Sequence, residues 1–243
     1  MIEERAVTAR ALVGERGWST RRRVETGLGD EMRSTLAELY TLDALFEHAS
    51  VASFARVSLE LMALGAPADL VAAAHQAALD EIEHARVCFA LASRYRGEPV
   101  GAAPLEIPAA LALRSDLVEV AVSTFVEGCI GETLSAALAN EQAARATDPE
   151  VRAALELIAA DEARHAELAW RTVAWALREG GSRVRDAIAR LLPDANRYAP
   201  EVVAPADDAL ETHGRPSLTV MREVQRRALL DVVLPCAQAL LNA

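Results

Sequence analysis

The chain has 243 residues, of which 52% are hydrophobic, and its 36 acidic and 25 basic residues give a net charge of −11. This length and apolar content suffice for one sizeable core, whereas the acidic balance argues against a nucleic-acid partner. The three cysteines form no CxxC pair, which fits a reducing compartment. The apolar runs are shorter than the roughly 18 residues of a membrane span, and no secretory leader is visible. We therefore expect a cytoplasmic protein with no membrane partner.

Periodicity and breaker residues predict a chain that is helical throughout. Only 4% of residues are aromatic, and no Asn-Gly hairpin signal occurs. The first long helix is predicted over residues 30–64 and the second over about 69–95, followed by a proline- and glycine-rich link at 96–108. The remaining helices are predicted over about 109–144, 149–178, 182–192 and 215–242.

The lengths of the predicted links indicate how the first four helices are arranged. Short links after the first and third helices make each pair an antiparallel hairpin. The link at 96–108 can reach about 40 Å at ~3.3 Å per residue, which matches a helix of roughly 25 residues at a rise of ~1.5 Å per residue. We therefore predict an all-α fold, a four-helix bundle with one long crossover over about 35–180. A single domain would span 1–243, with an N-terminal segment and a C-terminal helical extension over about 181–243.

One chemical pattern occurs twice along the chain. DEIEH at 80–84 and DEARH at 161–165 both read D-E-x-x-H. A glutamate in an apolar setting precedes each motif. Glu47, within FEH, lies 34 residues before Glu81 of the first motif, and Glu127, within VEG, lies 35 residues before Glu162 of the second. Such matched spacing is improbable for two solvated helix faces, so the repeat predicts a chemical site.

Metal binding explains why these residue types recur at these spacings. Glu and His three apart in a helix lie on one face, about 5–6 Å apart at Cβ, so each pair can bind one cation. Two such helices, with one further Glu from each remaining helix, suit two iron or manganese ions in a helix bundle. Four carboxylates balance the charge of two divalent ions, which makes burial tolerable. The predicted metal ligands are Glu47, Glu81, His84, Glu127, Glu162 and His165.

This set resembles the ligands of the ferritin-like di-iron superfamily. That superfamily includes rubrerythrins, subunits of bacterial multicomponent monooxygenases, small subunits of ribonucleotide reductases and enzymes of the tRNA-hydroxylase type. The resemblance covers about residues 35–180 and implies a ferritin-like bundle. It also implies that Asp80 and Asp161 hydrogen-bond to ligand histidines. The paired motif is specific for the superfamily and singles out no one member.

Glu132 has two interpretations. It lies five positions after Glu127, about 140° around an ideal α-helix, which favours a surface position or a supporting role beside the ligands. Gly128 and Gly131 could permit a π-bulge that swings Glu132 inward as an alternate ligand.

Three other polar residues near the motifs have simpler interpretations. Glu83 lies off the face that carries the first Glu-x-x-His pair and is predicted to be exposed. His48 and His75 are predicted to be surface or packing histidines.

The resemblance favours an enzyme. A di-metal carboxylate centre of this type would activate O₂ to hydroxylate or otherwise oxidise a small organic substrate. Its cofactors would be two iron ions, with manganese or a mixed Mn/Fe pair as the alternative, and O₂ would be the co-substrate. An external electron donor would be needed, because no rubredoxin-like CxxC pair is present.

Two other functions stay open. One is iron oxidation or peroxide handling of the rubrerythrin or ferritin type, and the other is a scaffold whose metals only hold the bundle. The roughly sixty residues after the fourth helix favour the enzyme, since storage ferritins are shorter. These extra helices could cover a substrate pocket or form a homodimer interface.

Overall fold

The computed structural model describes residues 7–14, 17–19, 27–107, 113–203 and 208–243. These residues are predominantly helical, as the composition and periodicity predict. They group into two compact units: unit 1 comprises the described residues of 1–58 and 74–113, and unit 2 those of 59–73 and 114–243. The single domain predicted over 1–243 stays a prediction. None of the described helices combines the length and apolarity that crossing a bilayer requires.

The described elements follow the predicted order, with local differences. In chain order they are β1 (Ala11–Val13), α1 (Asp30–Ala63), α2 (Ala68–Arg96), β2 (Val100–Ala102), α3 (Leu117–Ser123), a first π-helical segment (Thr124–Glu132), α4 (Thr133–Arg145), α5 (Pro149–Gly180), α6 (Ser182–Ala189), a 3₁₀ helix (Leu192–Tyr198), a second 3₁₀ helix (Asp208–His213), α7 (Leu218–Ala228), a second π-helical segment (Leu229–Val233) and α8 (Leu234–Asn242).

In unit 1, α1 and α2 pack antiparallel. The ring of Tyr40 on α1 stacks on that of Tyr95 on α2, with centroids 5.8 Å apart and planes 10° apart. Further along, Glu47 of α1 approaches His84 of α2. The residue numbers rise along α1 as they fall along α2, so the two helices run antiparallel here.

A short β-ladder in unit 1 corrects the prediction of a chain that is helical throughout. Strand β1 pairs antiparallel with β2, with Leu12 opposite Gly101. Two flanking hydrogen bonds, from Gly14 N to Pro99 O and from Ala103 N to Arg10 O, extend the pairing. The pairing joins segments almost ninety residues apart, which local periodicity cannot detect.

The third long helix begins later than predicted, at Leu117 rather than near 109. Residues 108–112 lie outside the described residues, and 113–116 are not helical. Asp116 is the N-cap: its Oδ1 accepts hydrogen bonds from the backbone N–H groups of Val118 and Glu119. These bonds satisfy two N–H groups that lack an intrahelical partner, which fixes the helix start at this position.

In unit 2, α5 packs against α4 and the first π-helical segment. Asp148 caps the start of α5 by accepting from two backbone N–H groups, with Pro149 at the first helical turn, so the helix begins where the sequence predicts it. The ring edge of Phe125 meets Trp170 with centroids 6.0 Å apart. The short 145–149 connection and this contact together make α5 antiparallel to the helix that precedes it.

The C-terminal extension belongs to unit 2 and packs against its other helices. Helix α7 and the second 3₁₀ helix lie against α4, α6 lies against α3, and the first 3₁₀ helix lies against the first π-helical segment. The single helix predicted over 215–242 is instead interrupted by π turns at Leu229–Val233, followed by Pro235 at the start of α8. Proline lacks a backbone N–H, so it suits the first turn of α8 better than the interior of a regular helix.

Candidate metal centre

The first cluster lies in unit 1 and consists of Glu47, Glu81 and His84. Glu81 and His84 are buried and one helical turn apart on α2, while Glu47 comes from α1 and is partly buried. The Nδ1 atom of His84 lies 3.7 Å from Oε2 of Glu47 and 3.6 Å from Oε2 of Glu81. Each residue offers a ligand atom within 4.8 Å of the other two.

These separations fit a shared cation better than hydrogen bonds. Both N–O distances exceed the roughly 2.7–3.2 Å of a protein hydrogen bond. Two atoms bound to one divalent ion at about 2.1 Å lie roughly 3.0–3.6 Å apart at bond angles of about 90–120°. The donor set, with two carboxylates and one imidazole, suits a divalent metal ion, so the residues present fit such an ion.

The electrostatics of the first cluster point the same way. Burial lowers the pKa of the His84 imidazole. Contacts with the Glu47 and Glu81 carboxylates, and the negative charge of both, raise it, and the net effect is a pKa raised to about 11. The Glu47 and Glu81 carboxylates therefore attract positive charge onto the neighbouring ring. A metal ion would supply that charge in place of the proton, since a metal-bound histidine must release it.

The second cluster lies in unit 2 and consists of Glu132, Glu162 and His165. Glu162 and His165 are buried on α5, and Glu132 is partly buried at the end of the first π-helical segment. The three residues offer ligand atoms within 4.8 Å of one another. His165 Nδ1 lies 3.7 Å from Oε2 of Glu162, close to the equivalent distance in the first cluster.

Glu127, predicted as the fourth carboxylate ligand, lies elsewhere in unit 2. Its side chain is 40% exposed, and its Oε1 accepts hydrogen bonds from Ser123 Oγ at 2.8 Å and from Arg114 Nη2 at 3.4 Å. It does not belong to the second cluster, in which Glu132 supplies the carboxylate from this segment.

The π-helical winding of Thr124–Glu132 explains this exchange of position. In an α-helix, Glu132 would point about 140° away from Glu127. In a π-helix the backbone bonds run from i to i+5, so residues five apart lie on neighbouring turns of one side. Glycine at 128 lets the segment approach α5 closely, because a Cβ there would lie 2.4 Å from that of Ala169. Of the two interpretations of Glu132, the structure therefore agrees with the one in which a π-bulge turns this residue inward.

The two aspartates of the repeated motif have different neighbours. Asp80 is partly buried and its Oδ1 accepts a hydrogen bond from Gln76 Nε2 at 2.9 Å. Asp161 is buried and its Oδ1 lies 2.6 Å from Arg164 Nη2. Their predicted hydrogen bonds to ligand histidines stay predictions.

Three polar residues were predicted to be exposed or to serve in packing, and the structure places them so. Glu83 is exposed and pairs with Arg86 at 3.1 Å. His75 is exposed. The ring of His48 packs edge-on against Trp18 with centroids 4.8 Å apart, and burial lowers its pKa.

A cleft of about 390 Å³ lies in unit 2. Apolar side chains, among them that of Trp175, line it together with the charged Arg178 and Glu179. Trp175 follows His165 by ten residues on α5, which is about 15 Å along a helix. None of the candidate ligands lines this cleft.

Sequence reasoning missed three residues around Glu127: Glu60, Arg114 and Ser123. Oε1 of the buried Glu60 accepts a hydrogen bond from the backbone N of Arg114 at 2.9 Å. Ser123 lies four residues before Glu127, a helical spacing that could have identified it. Glu60 and Arg114 are 54 positions apart, and no local pattern links them.

No protein-family model, curated protein or solved structure matches the chain. The fold and the site themselves define a predominantly helical protein with buried carboxylate–histidine clusters whose ligand atoms lie within metal-binding distance.

Proposed function

We propose that the two clusters form one dinuclear iron centre, and that the protein is an oxidoreductase that uses O₂ to hydroxylate or otherwise oxidise a small organic substrate. The observation that carries this proposal is the presence of two largely buried sets of residues, Glu47–Glu81–His84 and Glu132–Glu162–His165, each of which offers carboxylate and imidazole atoms within 4.8 Å of one another. The D-E-x-x-H repeat supports joining them, because it relates the two units by sequence. The proposed ligands are Glu47, Glu81, His84, Glu132, Glu162 and His165.

Charge supports occupancy by two divalent ions. Each cluster contributes two carboxylates, and neutral imidazoles add no charge, so each group neutralises one divalent ion. Burying the Glu81 and Glu162 carboxylates without such compensation would carry a large desolvation cost. Glu81, His84, Glu162 and His165 are all buried, so the compensation matters most for them.

The chain's own residues would hold and shield the metals. His84 and His165 would bind as neutral imidazoles, which requires His84 to lose the proton that its carboxylate neighbours favour. The segment that carries Glu132 also carries the buried Phe125, Cys129 and Ile130, so its apolar side helps to exclude water. When bound, a di-iron pair would supply the redox chemistry for oxygen activation, with electrons from an external donor.

We also propose that the helices form a ferritin-like four-helix bundle. Its members would be α1, α2, the continuous run from α3 through α4, and α5. The antiparallel packing of α1 with α2 in unit 1 and of α5 with its preceding helix in unit 2 supports this, as does the repeated motif. The link at 97–116 would be the long crossover.

Oxidation of ferrous iron in air separates an enzyme from an iron store. With excess ferrous iron and O₂, we expect oxidation that stops near two iron ions per chain, because the two clusters provide two binding positions. The measurements are oxygen uptake, ferric iron per chain and the size of the assembly. With an external reductant and candidate small organic substrates, oxygen uptake should become catalytic for the correct one.

The alternative function makes a different prediction for the same experiment. Accumulation of many ferric ions per chain inside a large hollow oligomer would identify iron storage and contradict the enzyme. Rapid turnover of hydrogen peroxide without any organic substrate would identify peroxide handling.

A further inference from the structure

A chain of charged groups in unit 2 leads from the buried Glu60 to Glu127. Glu60 is 2% exposed, and its Oε1 accepts hydrogen bonds from the backbone N of Arg114 at 2.9 Å and from its Nη1 at 3.4 Å. A buried carboxylate is a strong anchor, because it requires a positive or hydrogen-bonding partner. Glu60 thereby fixes the orientation of the Arg114 guanidinium.

The other end of that guanidinium reaches Glu127. Arg114 Nη2 donates to Glu127 Oε1 at 3.4 Å, and Ser123 Oγ donates to the same oxygen at 2.8 Å. The pair is partly exposed to water, with side-chain exposures of 20% for Arg114 and 40% for Glu127. Contacts between partly exposed groups of this kind are weak enough to exchange.

The π-helical winding makes Glu127 a neighbour of Glu132 rather than a residue on the opposite face. Both belong to Thr124–Glu132, and the i to i+5 bonding sets residues five apart on adjacent turns of one side. One of these two carboxylates belongs to the second cluster and the other contacts Arg114. The two glutamates therefore lie on one side of the same segment and have different partners.

We infer that Glu127 is a reserve ligand of the metal centre, and that Arg114 is the positioning residue that keeps it out of the second cluster. This inference rests on the proposed metal centre. With Arg114 in place, Glu132 alone would supply the carboxylate from this segment to the second cluster. Loss of the Arg114 charge would free Glu127 to join Glu132 there or to replace it.

Cobalt(II) binding to the purified full chain tests this inference, because its visible absorption reports the number and type of ligands without any turnover. We expect Glu132→Gln to weaken cobalt binding at the second cluster at least ~10-fold, since it removes a ligand. Glu127→Gln should change the affinity by less than about twofold. In an Arg114→Met background, Glu132→Gln should cost less than about threefold, because Glu127 takes over.

The absorption spectrum provides a second readout that a purely structural role of Arg114 would not move. Arg114→Met should alter the cobalt bands, and adding Glu127→Gln should restore the wild-type spectrum. Arg183→Met is the matched control: it removes an exposed arginine of the same unit, paired with Asp116 at 3.5 Å, and should leave the spectrum unchanged.

Other results would overturn the inference. If Glu127→Gln alone weakens cobalt binding as much as Glu132→Gln, Glu127 is an ordinary ligand. If Arg114→Met fails to rescue Glu132→Gln in a protein with unchanged circular dichroism, Arg114 does not restrain Glu127. Should Arg114→Met not fold, Ser123→Ala in the Glu132→Gln background replaces it: partial rescue supports the reserve ligand and no rescue refutes it. Failure of the wild-type protein to bind cobalt would refute the metal centre itself.

Discussion

Replacing Glu81 or Glu162 by glutamine is expected to lower the affinity for ferrous iron at least about 100-fold while leaving a helical protein. Each change removes one charged ligand from a buried cluster and keeps the shape of the side chain. Even residues that only support a ligand typically cost about 10–100-fold in metal affinity when mutated, so a lost ligand should cost more.

Metal content after dialysis, together with far-ultraviolet circular dichroism, measures this prediction. The controls are Glu83→Gln on α2 and Glu167→Gln on α5, both exposed residues close in sequence to the ligands. Full metal occupancy in both ligand variants would show that the assigned ligands are wrong.

Substituting Gly128 by alanine is expected to destabilise the protein by about 1–3 kcal/mol, the usual cost of inserting a methyl group into a well-packed core. Its Cβ would lie 2.4 Å from the Cβ of Ala169, an atom that cannot move without shifting the backbone of α5. The shift would also move the π-helical segment that carries Glu132, so metal affinity should fall as well.

Urea unfolding of the apo-protein measures the stability change, and Gly131→Ala is the matched control. A Cβ at 131 would meet only the backbone oxygen of Val126, at an ordinary 3.6 Å. Alanine is favoured over glycine within helices, so this control should be neutral or stabilise by up to ~1 kcal/mol. Equal midpoints for the two variants would show that the close approach of Gly128 to α5 does not limit stability.

The long helices were predictable because their signals are local. Glycine marks the end of two of them. Gly65, just after α1, has a φ of +70°, and Gly181, just after α5, has a φ of +57°; both conformations favour glycine. Asp148 and Pro149 likewise mark the start of α5. The β-ladder and the late start of α3 were missed because one depends on distant pairing and the other on a single capping aspartate within an irregular link.

The candidate site was predictable in part, for a geometric reason. The Glu-x-x-His pairs follow from α-helical spacing, and α2 and α5 keep that spacing, so each pair converges as expected. The carboxylate from the third predicted helix does not follow α-helical spacing, because Thr124–Glu132 winds as a π-helix. Glycines at 128 and 131 permit this winding without requiring it, so the choice between Glu127 and Glu132 depends on packing against α5.

Iron content of the reconstituted wild-type protein tests the central claim most directly. The apo-protein would be incubated anaerobically with ferrous iron, freed of unbound metal and measured by elemental analysis against protein concentration. Two clusters of equal composition predict two iron ions per chain. A reproducible value of one or none, in a protein whose circular dichroism shows intact helices, would contradict a dinuclear centre.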